Sequence, residues 1–279
     1  MKIVFFGTPQ YVVPILKELK KYHEIVAVVT KSPKIAGRKK IKTFSAVDKY
    51  AHQKNIPIHF NFDEIPPADI GILASYGKII PNKILNKFPL GILNIHPSLL
   101  PKFRGASPVQ QNIIEEPQSV GATIIKLTDK MDGGPIITSF KDELQKSDTA
   151  ETLRVRLFDR SKNILVEILP LYQKNIIGPK PQNDADATYT KIITKRDGFV
   201  DLKKDDPELI VRKMKAYTPW PGIWTNIEIN KSKTEKQQKR LKILKCHTKE
   251  NKLVLDEVQL EGKNPVSWKQ FKEAYLIEK

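Results

Sequence analysis

Asn94-Ile95-His96-Pro97-Ser98-Leu99-Leu100-Pro101-Lys102-Phe103-Arg104-Gly105-Ala106-Ser107-Pro108 is the stretch on which the fold turns. The apolar residues 91–95 read as a strand, and Pro97 stops that strand and fixes the backbone at its tip. Asn94 and His96 are two apart, so on a pleated strand both side chains leave by the same face. Ser107 reads as a helix N-cap, with Pro108 at the first helical position and Gln110 where a capping box wants it. A strand, a polar tip, a proline-stiffened loop and a helix N-terminus make an active-site corner.

Upstream, residues 3–6 form a short apolar strand, followed by Gly7-Thr8-Pro9 and a helix with apolar positions at Val12, Val13, Ile15, Leu16 and Leu19. Residues 24–30 carry the near-continuous apolar run of a strand covered on both faces, so the chain begins β-α-β. No G-x-G-x-x-G follows the first strand, which argues against a dinucleotide cofactor on this Rossmann-like topology. Residues 31–44 are a connection with the basic cluster Lys34, Arg38, Lys39, Lys40 and Lys42, leaving the carboxyl end of a strand, where open α/β sheets bind ligands. A helix follows from Ser45 to about residue 54, then strands at 56–60 and 69–74, the latter emptying into Tyr76-Gly77.

Downstream, a strand spans 122–128 and leads into Asp129-Lys130-Met131-Asp132-Gly133-Gly134-Pro135, a turn by composition, before a strand at 136–140. Ser147 or Asp148 caps a long amphipathic helix. Gly178-Pro179-Lys180-Pro181-Gln182-Asn183 reads as a linker. Beyond it come a helix at 206–216, short strands at 223–229, 241–246 and 253–260, and a closing helix at 267–277. The expected architecture is α/β: a first domain at 1–177 with a mostly parallel sheet, a linker at 178–190, and a smaller β-rich domain at 191–279.

The formal charge of +17, from 48 Lys and Arg against 31 Asp and Glu, favours a polyanionic partner, because such a field steers nucleic acid and serves no purpose toward small molecules. Cys246 is the only cysteine, which excludes an internal disulfide and a cysteine-based metal site. The N-terminus breaks too early for a signal peptide and no apolar run approaches a membrane span, so a cytoplasmic protein is expected.

Residues 94–108 resemble the signature of enzymes that transfer a formyl group from 10-formyltetrahydrofolate. The tail Phe103-Arg104-Gly105-Ala106-Ser107-Pro108 is most similar to the branch of that family acting on methionyl-tRNA. The resemblance implies Asn94, His96 and Asp132 as a catalytic trio: Asn94 holds the formyl oxygen, His96 reinforces that donation and moves protons, and Asp132 orients His96 or a water and accepts the proton the amine loses. It also implies Ser98, Leu99, Leu100 and Pro101 as the folate segment, with Tyr76 and Gly77 lining the pocket, and no metal. The cluster from Lys34 to Lys42 resembles a basic insertion used on the tRNA acceptor stem. An OB-like barrel is implied for the second domain, entered at Pro219-Trp220-Pro221-Gly222. One departure matters: an additional β-hairpin usual in the family between Leu244 and Leu253 is replaced by residues 245–252, so a shortened barrel is expected. Lys236, Lys239 and Arg240, in a polar connection, are then candidates for gripping tRNA phosphates. The expected partner is initiator methionyl-tRNA, and the expected state a monomer.

Three rivals stand beside this reading. One formylates a small amine, such as an amino-sugar nucleotide or glycinamide ribonucleotide, and the basic 34–42 stretch argues against it. A second is a hydrolase releasing formate from the same cofactor. A third is a non-catalytic RNA-binding protein, against which an intact Asn94, His96 and Asp132 argue.

Overall fold

The computed structural model describes residues 1–36, 41–230 and 236–276. Strand β1 (Lys2–Gly7) leads to helix α1 (Val13–Tyr22), which carries Pro14 in its first turn, where a missing N–H costs nothing, and then to β2 (Glu24–Val29). Strands β3 (Lys34–Ala36) and β4 (Ile41–Thr43) pair antiparallel, so the described part of the expected 31–44 connection is a two-stranded ribbon. Ser45 caps α2 (Ala46–Gln53) by accepting from the Asp48 N–H. There follow β5 (Ile58–His59), β6 (Ile70–Ala74), α3 (Asn82–Leu85), β7 (Ile92–His96), β8 (Arg104–Gly105), α4 (Pro108–Glu115), β9 (Val120–Lys126), β10 (Ile136–Asp142) and the long helix α5 (Ala150–Gln173).

Seven strands form one sheet in the order β10-β9-β7-β6-β1-β2-β5. The five from β7 to β5 run parallel, and β9 and β10 close that side antiparallel. Alternation along the strands divides the core between the two faces. Ile3, Phe5, Leu93 and Ile95 join a cluster with Phe158, Leu165 and Leu169 of α5, whereas Val4, Phe6 and Ile92 join Tyr76, Ile84 and Phe88. Both faces are covered, which is why these strands read as apolar runs in the sequence.

The chain divides into two compact units, one from residues 1–108, 119–143 and 154–190, the other from 109–118, 144–153 and 191 onward. Residues 178–190, read from their prolines as a linker, fall in the first unit: Lys180 bridges to Ile136, and β11 (Tyr189–Thr190) adds parallel to β8. In the second unit α6 (Pro207–Tyr217) is capped by Asp206, and β12 (Ile223–Asn230), β13 (Lys236–Lys249), β14 (Lys252–Leu260) and β15 (Val266–Ser267) form an antiparallel sheet in that order, followed by α7 (Trp268–Tyr275). Strand β13 begins at Lys236 rather than at 241, because Ile227 and Ile229 of β12 supply the apolar partners that its own Lys-Gln-Gln-Lys opening lacks. Residues 245–252 are themselves the tip of a hairpin, turned by Glu250 and Asn251 at φ 51° and 59°, the left-handed pair of a tight two-residue turn. Among the described residues no helix is long and apolar enough to cross a membrane.

Candidate active site

Strand β7 delivers Asn94 and His96 to the carboxyl end of the sheet, paired with Ile125 and Thr123 of β9. Both side chains leave by the face opposite Leu93 and Ile95, as the two-residue spacing requires, and both are buried. Asp132 reaches the same place from the turn between β9 and β10. Its Oδ2 lies 3.5 Å from His96 Nδ1, and Asn94 Nδ2 donates to its Oδ1 at 3.5 Å. The shortest contact to the carboxylate is from the Gly105 N–H, at 2.8 Å.

The orientation of the imidazole follows from its second partner. His96 Nε2 lies 3.0 Å from the Phe103 carbonyl oxygen, which can only accept, so Nε2 carries a proton and Nδ1 is the nitrogen turned toward Asp132. A ring with both nitrogens protonated donates in both directions; a neutral ring leaves the Nδ1 lone pair facing the carboxylate.

The loop after the strand is tied down at several points. Thr123 Oγ1 donates to the Ser98 carbonyl at 2.7 Å and accepts from the Leu100 N–H at 3.1 Å, and Ser98 Oγ donates to the Lys102 carbonyl at 2.7 Å. The Leu100-Pro101 peptide is cis. Phe103 and Asp132 both have positive φ, 61° and 47°. Strained backbone of this kind persists only where the surroundings hold it, and it clusters at functional sites.

Among the described residues Arg104 is the largest wholly buried side chain. Its guanidinium donates to Gln182 Oε1, Asp184 Oδ1 and the Tyr189 hydroxyl, at 2.7, 2.8 and 3.2 Å. Burial opposes its charge, but the hydrogen bonds it donates to Asp184 and Tyr189 outweigh that and hold its pKa above the ordinary range. Lys130 and Arg104 together hold the Asp184 carboxyl below its usual value. Thr188 Oγ1 accepts from the Phe103 N–H, and Thr190 Oγ1 accepts from the Ser107 N–H, so residues 182–190 brace the loop along its length. None of these supporting residues was singled out from the sequence. Their partners lie about eighty positions away, and the local pattern, in which order returns at Thr188-Tyr189-Thr190 after the prolines, carries no sign of which loop they meet.

The other sequence-stated candidates separate. Leu99 and Pro101 are half-buried and Leu100 is buried, its N–H held by Thr123 of β9. Tyr76 is wholly buried, edge-on to the rings of Phe6 and Phe62, with its hydroxyl making no hydrogen bond, and Gly77 turns at φ 74° close to the Lys31 ammonium. Lys34 and Lys42 are exposed and sit on opposite faces of the β3–β4 ribbon, opposite Thr43 and Ile35. Arg38, Lys39 and Lys40 lie outside the described residues. On β13, Lys236 and Arg240 share the outer face with Lys242, and Arg240 lies over the Trp224 ring at 4.2 Å. Lys236 pairs with Glu228 of β12 at 3.0 Å. Lys239 points to the other face, toward Ile227.

The chain matches two family models in succession, "Formyl transferase" over residues 1–169 and "Formyl transferase, C-terminal domain" over residues 192–276. It is 36% identical over 236 residues to a methionyl-tRNA formyltransferase of Buchnera aphidicola, covering 79% of this chain and 74% of that protein. To a methionyl-tRNA formyltransferase of Chloroflexus aurantiacus it is 37% identical over 238 residues, 81% of this chain and 76% of that one. Among solved structures, the methionyl-tRNA formyltransferase of Clostridium thermocellum superposes with a TM-score of 0.60 at 19% identity, over 93% of this chain and 98% of that chain, a likeness of fold. Two family models that together span both halves of the chain, and relatives 36% and 37% identical over about four fifths of it, place this protein in the formyl transferase family.

Proposed function

We propose that this protein moves the formyl group of 10-formyltetrahydrofolate onto the α-amino group of methionine carried by initiator tRNA, in the cytoplasm. The chemistry rests on one observation: Asn94, His96 and Asp132, from two separate segments, converge within 3.5 Å contacts at the end of β7. The acceptor is supported by relatives of 36% and 37% identity, themselves called methionyl-tRNA formyltransferases, and by the charge of +17.

In this reading the amine nitrogen attacks the formyl carbon, a new C–N bond forms, and the bond from that carbon to the folate nitrogen breaks. Asn94 donates an N–H to the formyl oxygen, and that bond strengthens as the oxygen gains charge. The Asp132 carboxylate takes the proton released by the amine, and His96, its Nε2–H held by Phe103, steadies that carboxylate by donating to it from a protonated Nδ1. The proton then passes to the departing nitrogen. Leu99, Leu100 and Pro101 offer an apolar wall for the pterin. Ser98, wholly buried and donating its O–H to Lys102, shapes that wall rather than touching the donor.

The test is a transfer assay with formyl-labelled donor, offering methionyl-tRNA, an amino-sugar nucleotide, glycinamide ribonucleotide and water as competing acceptors. Label is expected on methionyl-tRNA. Label on a small amine, or free formate as the main product, would overturn the assignment.

A further inference from the structure

Gln182 is placed unusually for a residue in a proline-bounded surface stretch. A primary amide has two N–H donors and an oxygen with two lone pairs, and here all four are used. Its Oε1 accepts from Arg104 Nε at 3.1 Å and Nη2 at 2.7 Å, and its Nε2 donates to the backbone carbonyls of Asp132 and Gly134 at 2.8 and 2.6 Å. The assignment cannot be flipped, because a guanidinium only donates and a carbonyl only accepts. The two carbonyls flank the turn that carries Asp132 in its left-handed conformation. The residue after Arg104, Gly105, donates its N–H to the Asp132 carboxylate. Asp132 is therefore held twice from one buried anchor: its main chain through Gln182, its carboxylate through Gly105.

We propose that Gln182 is a positioning residue for Asp132, setting the aim of that carboxylate at Asn94 and His96 while touching no substrate itself. The inference rests on the formyl-transfer reading above and deepens it. Without the two amide donors the turn keeps its own Gly133 N–H to Lys130 carbonyl bond and the Gly105 N–H on the carboxylate, but the Asp132 and Gly134 carbonyls are released and the carboxylate shifts relative to His96. A displacement of about 1 Å in a reacting constellation costs on the order of 10²-fold in rate. Arg104 serves the same end one step further out: buried, and donating also to Asp184 and Tyr189, it fixes the Gln182 oxygen and so the direction in which the amide N–H groups point.

The decisive variant is Gln182→Glu, which keeps an acceptor for Arg104 but sets oxygen against the two carbonyls. With methionyl-tRNA and donor both saturating, kcat is expected to fall on the order of 10²-fold, with both KM values within about threefold and an unchanged melting midpoint. In an Asp132→Asn background the same change is expected to add less than about a threefold loss, since a residue that acts only through Asp132 is not additive with it. Additive losses, or a normal kcat, would overturn the proposal. Gln182→Met, of similar length and uncharged, serves should the glutamate variant fold poorly, with the same kinetic expectation and a lower melting midpoint, since two Arg104 donors lose their acceptor. A readout independent of activity is amide hydrogen exchange in the full-length chain. Residues 129–135 should exchange faster in either variant while 92–96 do not change, and unaltered exchange at 129–135 would count decisively against Gln182 holding the turn. A wild-type protein that transfers no formyl group to methionyl-tRNA would defeat the functional assignment, and the exchange result would still decide whether Gln182 positions Asp132.

Discussion

Asp132 and Gly105 show how a site of three polar residues depends on backbone geometry. Gly105 has φ 112°, and a Cβ placed there would stand 2.7 Å from the Thr190 carbonyl oxygen, so no other residue fits between Arg104 and Ala106. The same glycine supplies the N–H that meets Asp132 at 2.8 Å. Gly105→Ala should thus do two things at once: lower stability by roughly 1–3 kcal/mol, the usual cost of strained backbone, and depress turnover by moving that N–H. Thermal melting and kcat measured on one preparation check this. Gly178→Ala is the control, because nothing lies within 4 Å of its Cβ position. A Gly105→Ala protein that melts and turns over like the wild type would show that the φ 112° corner is not needed.

At the scale of elements, the short 3-10 turn Lys195–Gly198 has its stability tied to pH. Thr194 and Asp197 form a reciprocal capping box, and Lys191 lies 2.7 Å from the Asp197 carboxylate. The Lys191 contact, with help from the Thr194 side chain and N–H, lowers the Asp197 pKa from 3.8 to about 2. A carboxyl depressed in the folded state contributes its stabilisation in full above the ordinary value, and that contribution disappears as pH falls from 3.8 toward about 2. Asp197→Ala should therefore lower the melting midpoint at pH 7, by an amount corresponding to a lost cap of about 1 kcal/mol, and the difference from wild type should shrink below pH 4. A gap that persists undiminished at pH 3 would exclude this origin. The elements also show what the sequence makes legible. Strand β7 and its polar tip could be read because every signal is local: an apolar run, two polar residues at even spacing and a stopping proline. The start of β13 could not, because its opening residues are polar and take their apolar partners from β12. The fixing of Arg104 could not either, since Gln182, Asp184 and Tyr189 come from a segment whose prolines suggest a linker.

For the whole molecule the dominant quantity is the charge of +17. It predicts steep salt dependence for any polyanion, since each phosphate neutralised releases condensed counterions. The candidate contacts in the second unit are not equivalent: Lys236 and Arg240 lie on the outer face of β13, which they share with Lys242, while Lys239 lies on the other. Gln substitution of both Arg240 and Lys242 is expected to flatten the log-log salt slope of tRNA affinity by about two units or somewhat less, leaving turnover at saturating tRNA unchanged. Lys239→Gln should have little effect, and equal effects from the two faces would argue against this surface as the one that meets phosphate. The most direct measurement is single-turnover formyl transfer to methionyl-tRNA at saturating donor, for the wild type and for Asp132→Asn, His96→Ala and Asn94→Ala. Each variant is expected to fold normally and to lose roughly 10²–10⁴ in rate; near-normal transfer by any two of them would contradict catalysis by the trio at the end of β7.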